Sequence, residues 1–204
     1  MSIRTTSRTP KFVALAAAIT LGSLLLSGCA ADDGISTEWG GGGEQNYISG
    51  DGSVLEIVPS ARKATAEFEG TLDIGGEFHS SELQGQVTVI NFWYAGCPPC
   101  RVEAPDLETS YQNFLEQDVR FLGVNVRDTA DTSLTFSENY GISYPSIMDI
   151  NSASAQLAFA GVVPPNAVPT TLILDRDGRV AARILGIAQL GTLKALIQTV
   201  LDEG

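Results

Sequence analysis

Residues 87–93 read Val-Thr-Val-Ile-Asn-Phe-Trp, a run in which β-branched and aromatic side chains follow one another with little polar interruption. A strand with one face in water alternates apolar and polar residues, so an unbroken run of this kind is expected in the middle of a sheet covered on both faces. The chain must then supply a layer for each side of that sheet. The run also ends just before Cys97-Pro98-Pro99-Cys100, so the strand would deliver the chain directly to two cysteines separated by two prolines.

Beyond the cysteines, Ala104, Leu107, Tyr111 and Phe114/Leu115 recur at helical spacing, which predicts a helix from Pro98 to about Glu116. Val119 to Val126 reads as a second central strand. Asp131 or Thr132 is expected to cap a helix through Tyr140, followed by a short extended piece at Ser146–Met148 and a helix over Ser152–Phe159. This alternation implies parallel strands joined by right-handed crossovers. The rhythm then changes: Thr171–Leu174, a turn at Asp175–Gly178 and Arg179–Leu185 predict an antiparallel hairpin. Leu190, Leu193, Leu196, Ile197 and Val200 form the apolar stripe of a closing helix. Upstream, an extended segment from Ala64 to Leu72, a turn at Asp73-Ile74-Gly75-Gly76 and a short run to His79 predict another hairpin, with a helical turn at Ser80–Leu83. The expected class is α/β, a mixed central sheet flanked by helices. At 204 residues and 44% hydrophobic content, one such core is what the chain can bury.

The N-terminus has a different character. Arg4, Arg8 and Lys11 precede an apolar run from Phe12 to Leu26, which is too short to span a bilayer comfortably and reads as the core of a signal peptide. Leu26-Ser27-Gly28-Cys29 matches the lipobox of bacterial lipoproteins, in which the cysteine is acylated and becomes the mature N-terminus. The expected organisation is a signal peptide at 1–28, a lipid-anchored flexible linker at 29–63 containing four consecutive glycines, Gly40–Gly43, and a folded domain at 64–204. Cleavage before Cys29 would remove three of the 12 Lys and Arg residues and none of the 24 Asp and Glu residues. So acidic a surface disfavours nucleic acid as a partner.

Two cysteines three apart at a strand-to-helix junction place Cys97 at the helix N-cap and Cys100 in the first turn. Both sulfurs are expected at one exposed end, with Cys100 the more buried. The unpaired N–H groups and positive dipole end of the helix favour thiolate, making Cys97 the expected nucleophile and Cys100 the residue that resolves a mixed disulfide. Three other readings compete. A structural bridge would close a loop of only four residues and remove little entropy from the unfolded chain. A zinc site needs more ligands than one histidine and two cysteines supply once Cys29 is acylated, so neither a metal nor another cofactor is expected. A domain that binds without catalysis stays open. His79, the only histidine, is expected at the surface with no role.

The stretch Asn91-Phe92-Trp93-Tyr94-Ala95-Gly96 before the cysteines, Arg101-Val102-Glu103-Ala104-Pro105 after them, and Val168-Pro169-Thr170-Thr171 leading through Val180 resemble the thioredoxin superfamily, specifically its membrane-anchored TlpA/ResA-like branch. The likeness covers about residues 64–202. It implies a thioredoxin-like fold with an N-terminal β-hairpin and a helical insertion, and thiol-disulfide oxidoreductase activity on the extracytoplasmic face of the cell membrane. Catalytic residues would be Cys97, Cys100 and Glu103, the last a carboxylate able to exchange a proton with Cys100. Substrate would meet Trp93, Gly96, Pro98 and the segment Val168, Pro169 and Thr170, which matches the family's cis-proline segment.

Asn91 stands where classical thioredoxins carry a buried Asp, and Gly96 where they carry Trp. Implied partners are exported proteins with disulfides, apocytochrome c among them, and a membrane protein that returns electrons; a monomer is expected. An oxidase or isomerase, or a tethered binding or chaperone lipoprotein, are the alternatives. Peroxiredoxins share the fold but need Thr three residues before the reactive cysteine, and that place is Tyr94.

Finally, Pro98 and Pro99 remove two N–H groups from the first turn. Weaker thiolate stabilisation, and hence a reducing or mildly poised centre, is the expected consequence.

Overall fold

The computed structural model describes residues 53–164 and 167–204, together with the backbone strand Tyr47–Ile48. The expected signal peptide and the acylated Cys29 lie outside the described residues, as does most of the expected linker. Nine strands run in chain order: β1 (Tyr47–Ile48), β2 (Val54–Glu56), β3 (Glu69–Thr71), β4 (Glu77–His79), β5 (Val87–Trp93), β6 (Val119–Asn125), β7 (Ser146–Met148), β8 (Thr170–Leu174) and β9 (Val180–Leu185). Among the described residues, four α-helices accompany them: α1 (Pro98–Phe114), α2 (Ala130–Tyr140), α3 (Ser154–Ala158) and α4 (Leu190–Asp202).

Seven strands form one mixed sheet in the order β1-β2-β9-β8-β5-β6-β7, with β5, β6 and β7 parallel and the rest of the ladder antiparallel. As the unbroken apolar run demands, β5 lies inside this sheet and all seven of its residues are buried. Its alternation assigns the faces. Val87 and Val89 pack with Leu107 and Phe114 of α1 and with Leu193 and Ile197 of α4. Ile90 and Phe92 pack on the opposite face with Phe68, Phe78 and Phe159. There Phe159 meets Phe68 and Phe92 edge-on, with centroids 5.4 and 6.0 Å apart.

The β3–β4 hairpin forms a separate two-stranded sheet that covers the β7 edge. Leu72 bridges Ile147, and the Asp73 N–H donates to the Ser146 carbonyl at 2.8 Å. The buried Asp73 carboxylate accepts from the Ser146 N–H at 3.0 Å and the Ser133 hydroxyl at 2.7 Å, so hairpin, edge strand and α2 are joined at one residue. An edge masked in this way offers no free ladder to another chain.

The sequence expectations need three corrections. The fold begins before Ala64: β2 pairs with Ala182–Ile184 of β9, and a 3-10 turn follows at Pro59–Ala61. The side chain of Arg62, at the end of the expected linker, is only 3% exposed and binds Asp175 at 3.2 Å and both Glu203 oxygens at 2.6 and 2.8 Å. A three-residue strand is too short to show periodicity, and an ion pair across 141 positions leaves no local trace. Second, α2 is capped by Thr129, whose side chain accepts from the Thr132 N–H, rather than by Asp131 or Thr132. Third, α3 starts at Ser154. The buried Asp149, lying before the helix, accepts from the Ala155 and Gln156 N–H groups, both at 3.0 Å.

Replacing Arg62 with Ala removes the only cation on Glu203 among the described residues, while Asp175 keeps Arg179 at 2.9 Å. The expected loss is about 1–3 kcal/mol in urea denaturation. Amide exchange should rise selectively in residues 54–57.

Candidate active site

The end of β5 is tied to the end of β6 by the Val126 N–H donating to the Trp93 carbonyl at 3.1 Å. The short loop from Tyr94 to Gly96 then turns into α1, with the Cys97 N–H donating to the Tyr94 carbonyl at 3.1 Å. Two side chains hold this loop. Asp128 accepts the Ala95 N–H at 2.6 Å, and the Arg101 Nε donates to the Ala95 carbonyl at 2.8 Å. Asp128 is itself fixed by Asn125, whose Nδ2 donates to it at 2.9 Å and whose Oδ1 accepts the Arg127 and Asp128 N–H groups. This Asx-type turn after a strand was the signal in the sequence that could have identified Asp128.

Cys97 is the N-cap of α1 and is joined to Cys100 in a disulfide with a Cα–Cα distance of 5.3 Å. An N-cap side chain accepts from the N–H of the second or third helical residue. Pro99 occupies the second and has no N–H, so only the Cys100 N–H reaches the Cys97 sulfur, at 3.2 Å. The Arg101 N–H, which could have been a second donor, is directed to the Cys97 carbonyl at 3.3 Å.

The expectation of exposed sulfurs is corrected. Cys97 is 1% and Cys100 2% exposed, because Trp93, Ala104, Phe136 and Val168 pack around them.

Glu103 lies one turn beyond Cys100 and has no exposed surface, so it is not a solvated helix acid. Its Oε1 accepts from the Asn91 Nδ2 at 2.8 Å and its Oε2 from the Ala188 N–H at 2.8 Å. Asn91 sits at the β5 position that faces α1 and also donates to the Thr171 hydroxyl at 3.1 Å. Burial away from water pushes the Glu103 carboxyl up from 4.5 to about 7, against the two hydrogen bonds that favour its charged form. Cys100 lines a small cavity together with Asn91, the amide that holds Glu103.

The remaining expected residues divide. Val168 is half-buried against the disulfide cluster, and the Val168–Pro169 bond is cis. Gly96 and Pro98 are exposed beside Cys97. A Cβ at Gly96 would meet the Tyr94 ring at 3.3 Å, so Tyr94 occupies space that a larger residue would need.

Trp93 and Thr170 do not belong to an accessible surface. Trp93 is 5% exposed, packs on Phe136 at 4.4 Å and donates its Nε1–H to the Ser146 hydroxyl at 3.1 Å. Period-two alternation from Val87 sends it to the inner face with Asn91. Thr170 is fully buried between β5 and β9, and its hydroxyl donates to the Ala167 carbonyl at 2.7 Å. His79 is exposed in β4, away from the disulfide cluster. Among the described residues, no three His, Cys, Asp or Glu side chains gather as a metal site would require, and no helix is long and apolar enough to cross a membrane.

A family model described as AhpC/TSA matches residues 61–183, more than half of the chain. The chain belongs to the AhpC/TSA family. Within it, the thiol-disulfide oxidoreductase ResA of Halalkalibacterium halodurans is 33% identical over 111 residues, 53% of this chain and 59% of that protein. The ResA of Bacillus subtilis is 30% identical over 112 residues, 55% of this chain and 60% of that protein. The chain therefore spans about three-fifths of the length of these curated relatives.

Among solved structures, a secreted thiol-disulfide isomerase from Corynebacterium glutamicum superposes with a TM-score of 0.69 at 28% identity, covering 79% of this chain and 99% of that one. A DsbF homologue from Corynebacterium diphtheriae gives 0.66 at 29%, covering 78% and 99%. The architecture is the thioredoxin-like α/β fold expected from the motifs.

Because the folded-state carboxyl of Glu103 holds its proton more tightly than the unfolded chain does, its contribution to stability is complete below about pH 4.5 and is lost as pH rises through about 7. The loss is on the order of 3 kcal/mol. Glu103→Gln should remove this slope from denaturation midpoints measured between those values. Below about pH 4.5 it lowers stability, since one amide oxygen cannot accept at both ends.

Proposed function

We propose that this protein is a thiol-disulfide oxidoreductase that reduces disulfides of exported proteins through Cys97 and Cys100. The observation that carries the proposal is a disulfide at the N-terminus of α1 with a buried carboxylate, raised to a pKa of about 7, one turn away.

In the reducing direction, the Cys97 thiolate attacks one sulfur of a client disulfide. A mixed disulfide forms, and the client's other sulfur leaves as thiolate. Cys100 then attacks the Cys97 sulfur, which re-forms the internal disulfide and releases the second client sulfur. Two electrons pass from the dithiol to the client. The Cys100 thiol must lose its proton for the second step, and the Glu103 carboxylate, with its pKa near neutrality, is suited to take it.

The cis-Pro169 segment supports the same reading, because Val168 packs beside the disulfide where an extended client chain would lie. The ResA names of the relatives, and the lipobox ending in Cys29, support a lipid-anchored protein on the extracytoplasmic face. There it is recharged by a membrane electron donor and works as a monomer. Apocytochrome c is a client by resemblance to the ResA-like branch alone.

Cys100→Ala should accumulate clients as mixed disulfides through Cys97, detectable on non-reducing gels, and Cys97→Ser should accumulate none. Recovery of no mixed disulfide with a folded Cys100→Ala protein would count against the mechanism.

Direction is tested separately. With a single N–H on the Cys97 sulfur, the reduction potential should fall well below the about −120 mV of a strong periplasmic oxidant. Pro99→Ala restores a donor at the second helical position and should raise the potential and lower the Cys97 pKa. A wild-type value at the oxidant's level would favour the oxidase reading.

A further inference from the structure

Exposed side chains on the loop leading into Cys97 are scarce. Gly96 has none, Pro98 offers no polar group, and Tyr94 is half-buried. Two arginines reach this loop from different elements. Arg101, exposed in the first turn of α1, spends its Nε on the Ala95 carbonyl, which leaves its two terminal nitrogens without a hydrogen bond among the described residues. Arg127, exposed just after β6, lays its guanidinium over the Tyr94 ring at 4.3 Å, a contact that fixes the plane while leaving the N–H edge available.

Of the other described arginines, Arg176 sits in the β8–β9 turn, in a different part of the chain from this loop. Arg62, Arg120 and Arg179 are ion-paired, and Arg183 donates to the Val162 carbonyl. Arg101 and Arg127 have no carboxylate within 4.0 Å among the described residues. The nearby acids leave the guanidinium edges open. Asp128 is occupied by the Ala95 N–H and the Asn125 amide, and Asp131 lines the cleft beside Arg101 beyond ion-pair distance. In a chain of net charge −12, two guanidiniums with open N–H edges flanking the loop before Cys97 are places where a carboxylate can bind.

We propose that Arg101 and Arg127 select clients that carry Asp or Glu beside the target cysteine. Resting on the thiol-disulfide reading above, this names the substrate class of the same site: a polypeptide disulfide in an acidic segment. Guanidinium forks match carboxylates in geometry, and both are already oriented by the Ala95 carbonyl and the Tyr94 ring. The net negative charge of the chain disfavours such a segment at large, so attraction beside the loop directs the encounter.

The test uses the reduced full-length protein and synthetic peptide disulfides of one sequence, with Glu, Gln or Lys on both sides of each cysteine. The Glu peptide should react about five- to tenfold faster than the Lys peptide at low salt. That preference should shrink toward unity in about 0.5 M salt. The Arg101→Gln/Arg127→Gln protein, checked for an unchanged unfolding midpoint, should discriminate less than twofold, and Arg127→Glu should invert the order.

Equal rates for the Glu and Lys peptides with the unaltered protein, or a preference that survives the double substitution, overturns the proposal and leaves the oxidoreductase reading standing. Loss of rate confined to glutathione disulfide, with peptide rates unaffected, overturns it in favour of a small anionic disulfide. Failure to exchange with any disulfide removes the underlying reading and this one with it.

Discussion

The carboxylate of Glu103 is the point on which the site's architecture rests. With no exposed surface, it is held by Asn91 from β5 on one side and by the Ala188 N–H, just before α4, on the other. A buried charge is tolerated only with such partners. Those two bonds fix the rotation of α1 about its axis, and that rotation decides where Cys97 and Cys100 stand one turn earlier. The same residue that suits proton exchange is therefore the one that locates the sulfurs. It couples the first strand-to-helix passage of the domain to its last helix.

A second layer of control lies in the loop before Cys97. Asp128, fixed by Asn125 at the end of the neighbouring parallel strand, accepts the Ala95 N–H, while Arg101 donates to the Ala95 carbonyl. Both polar groups of one peptide residue are thus satisfied by side chains, and the loop needs no bulk of its own. That is how Gly96 can stand beside Cys97 without loosening it. Tyr94, wedged between Gly96 and Arg127, fills the adjoining space.

Much of this was legible in the sequence because the signals were local. The unbroken apolar run from Val87 to Trp93 specifies a central strand, β5, at those bounds, and the stripe from Leu190 to Val200 specifies the closing helix. Cys97 as an N-cap and the donor deficit from Pro98 and Pro99 follow from position alone. What was not legible depends on distant partners. The acidic residue at 103 looks like any helix acid until Ala188 and Asn91 close on it, and Arg62 looks like linker until Glu203 arrives. Trp93 was expected to meet substrate because of its neighbourhood. The pleat turned it inward, where Gly123 leaves room for its ring beside Ser146.

The near-complete burial of both sulfurs has a kinetic meaning. A disulfide open to solvent equilibrates with whatever small thiol is most abundant, and its redox state then reports the medium. Here the sulfurs are covered by Trp93, Ala104, Phe136 and Val168, and only the slim profile of Gly96 and Pro98 leads toward them. In the proposed exchange reaction, random collisions would be filtered, and turnover would depend on a partner that stays long enough on the rim to reach inside. The pair is thereby insulated from its surroundings. Its electrons are held for the few molecules that fit, much as a recessed contact conducts only when the matching plug is seated.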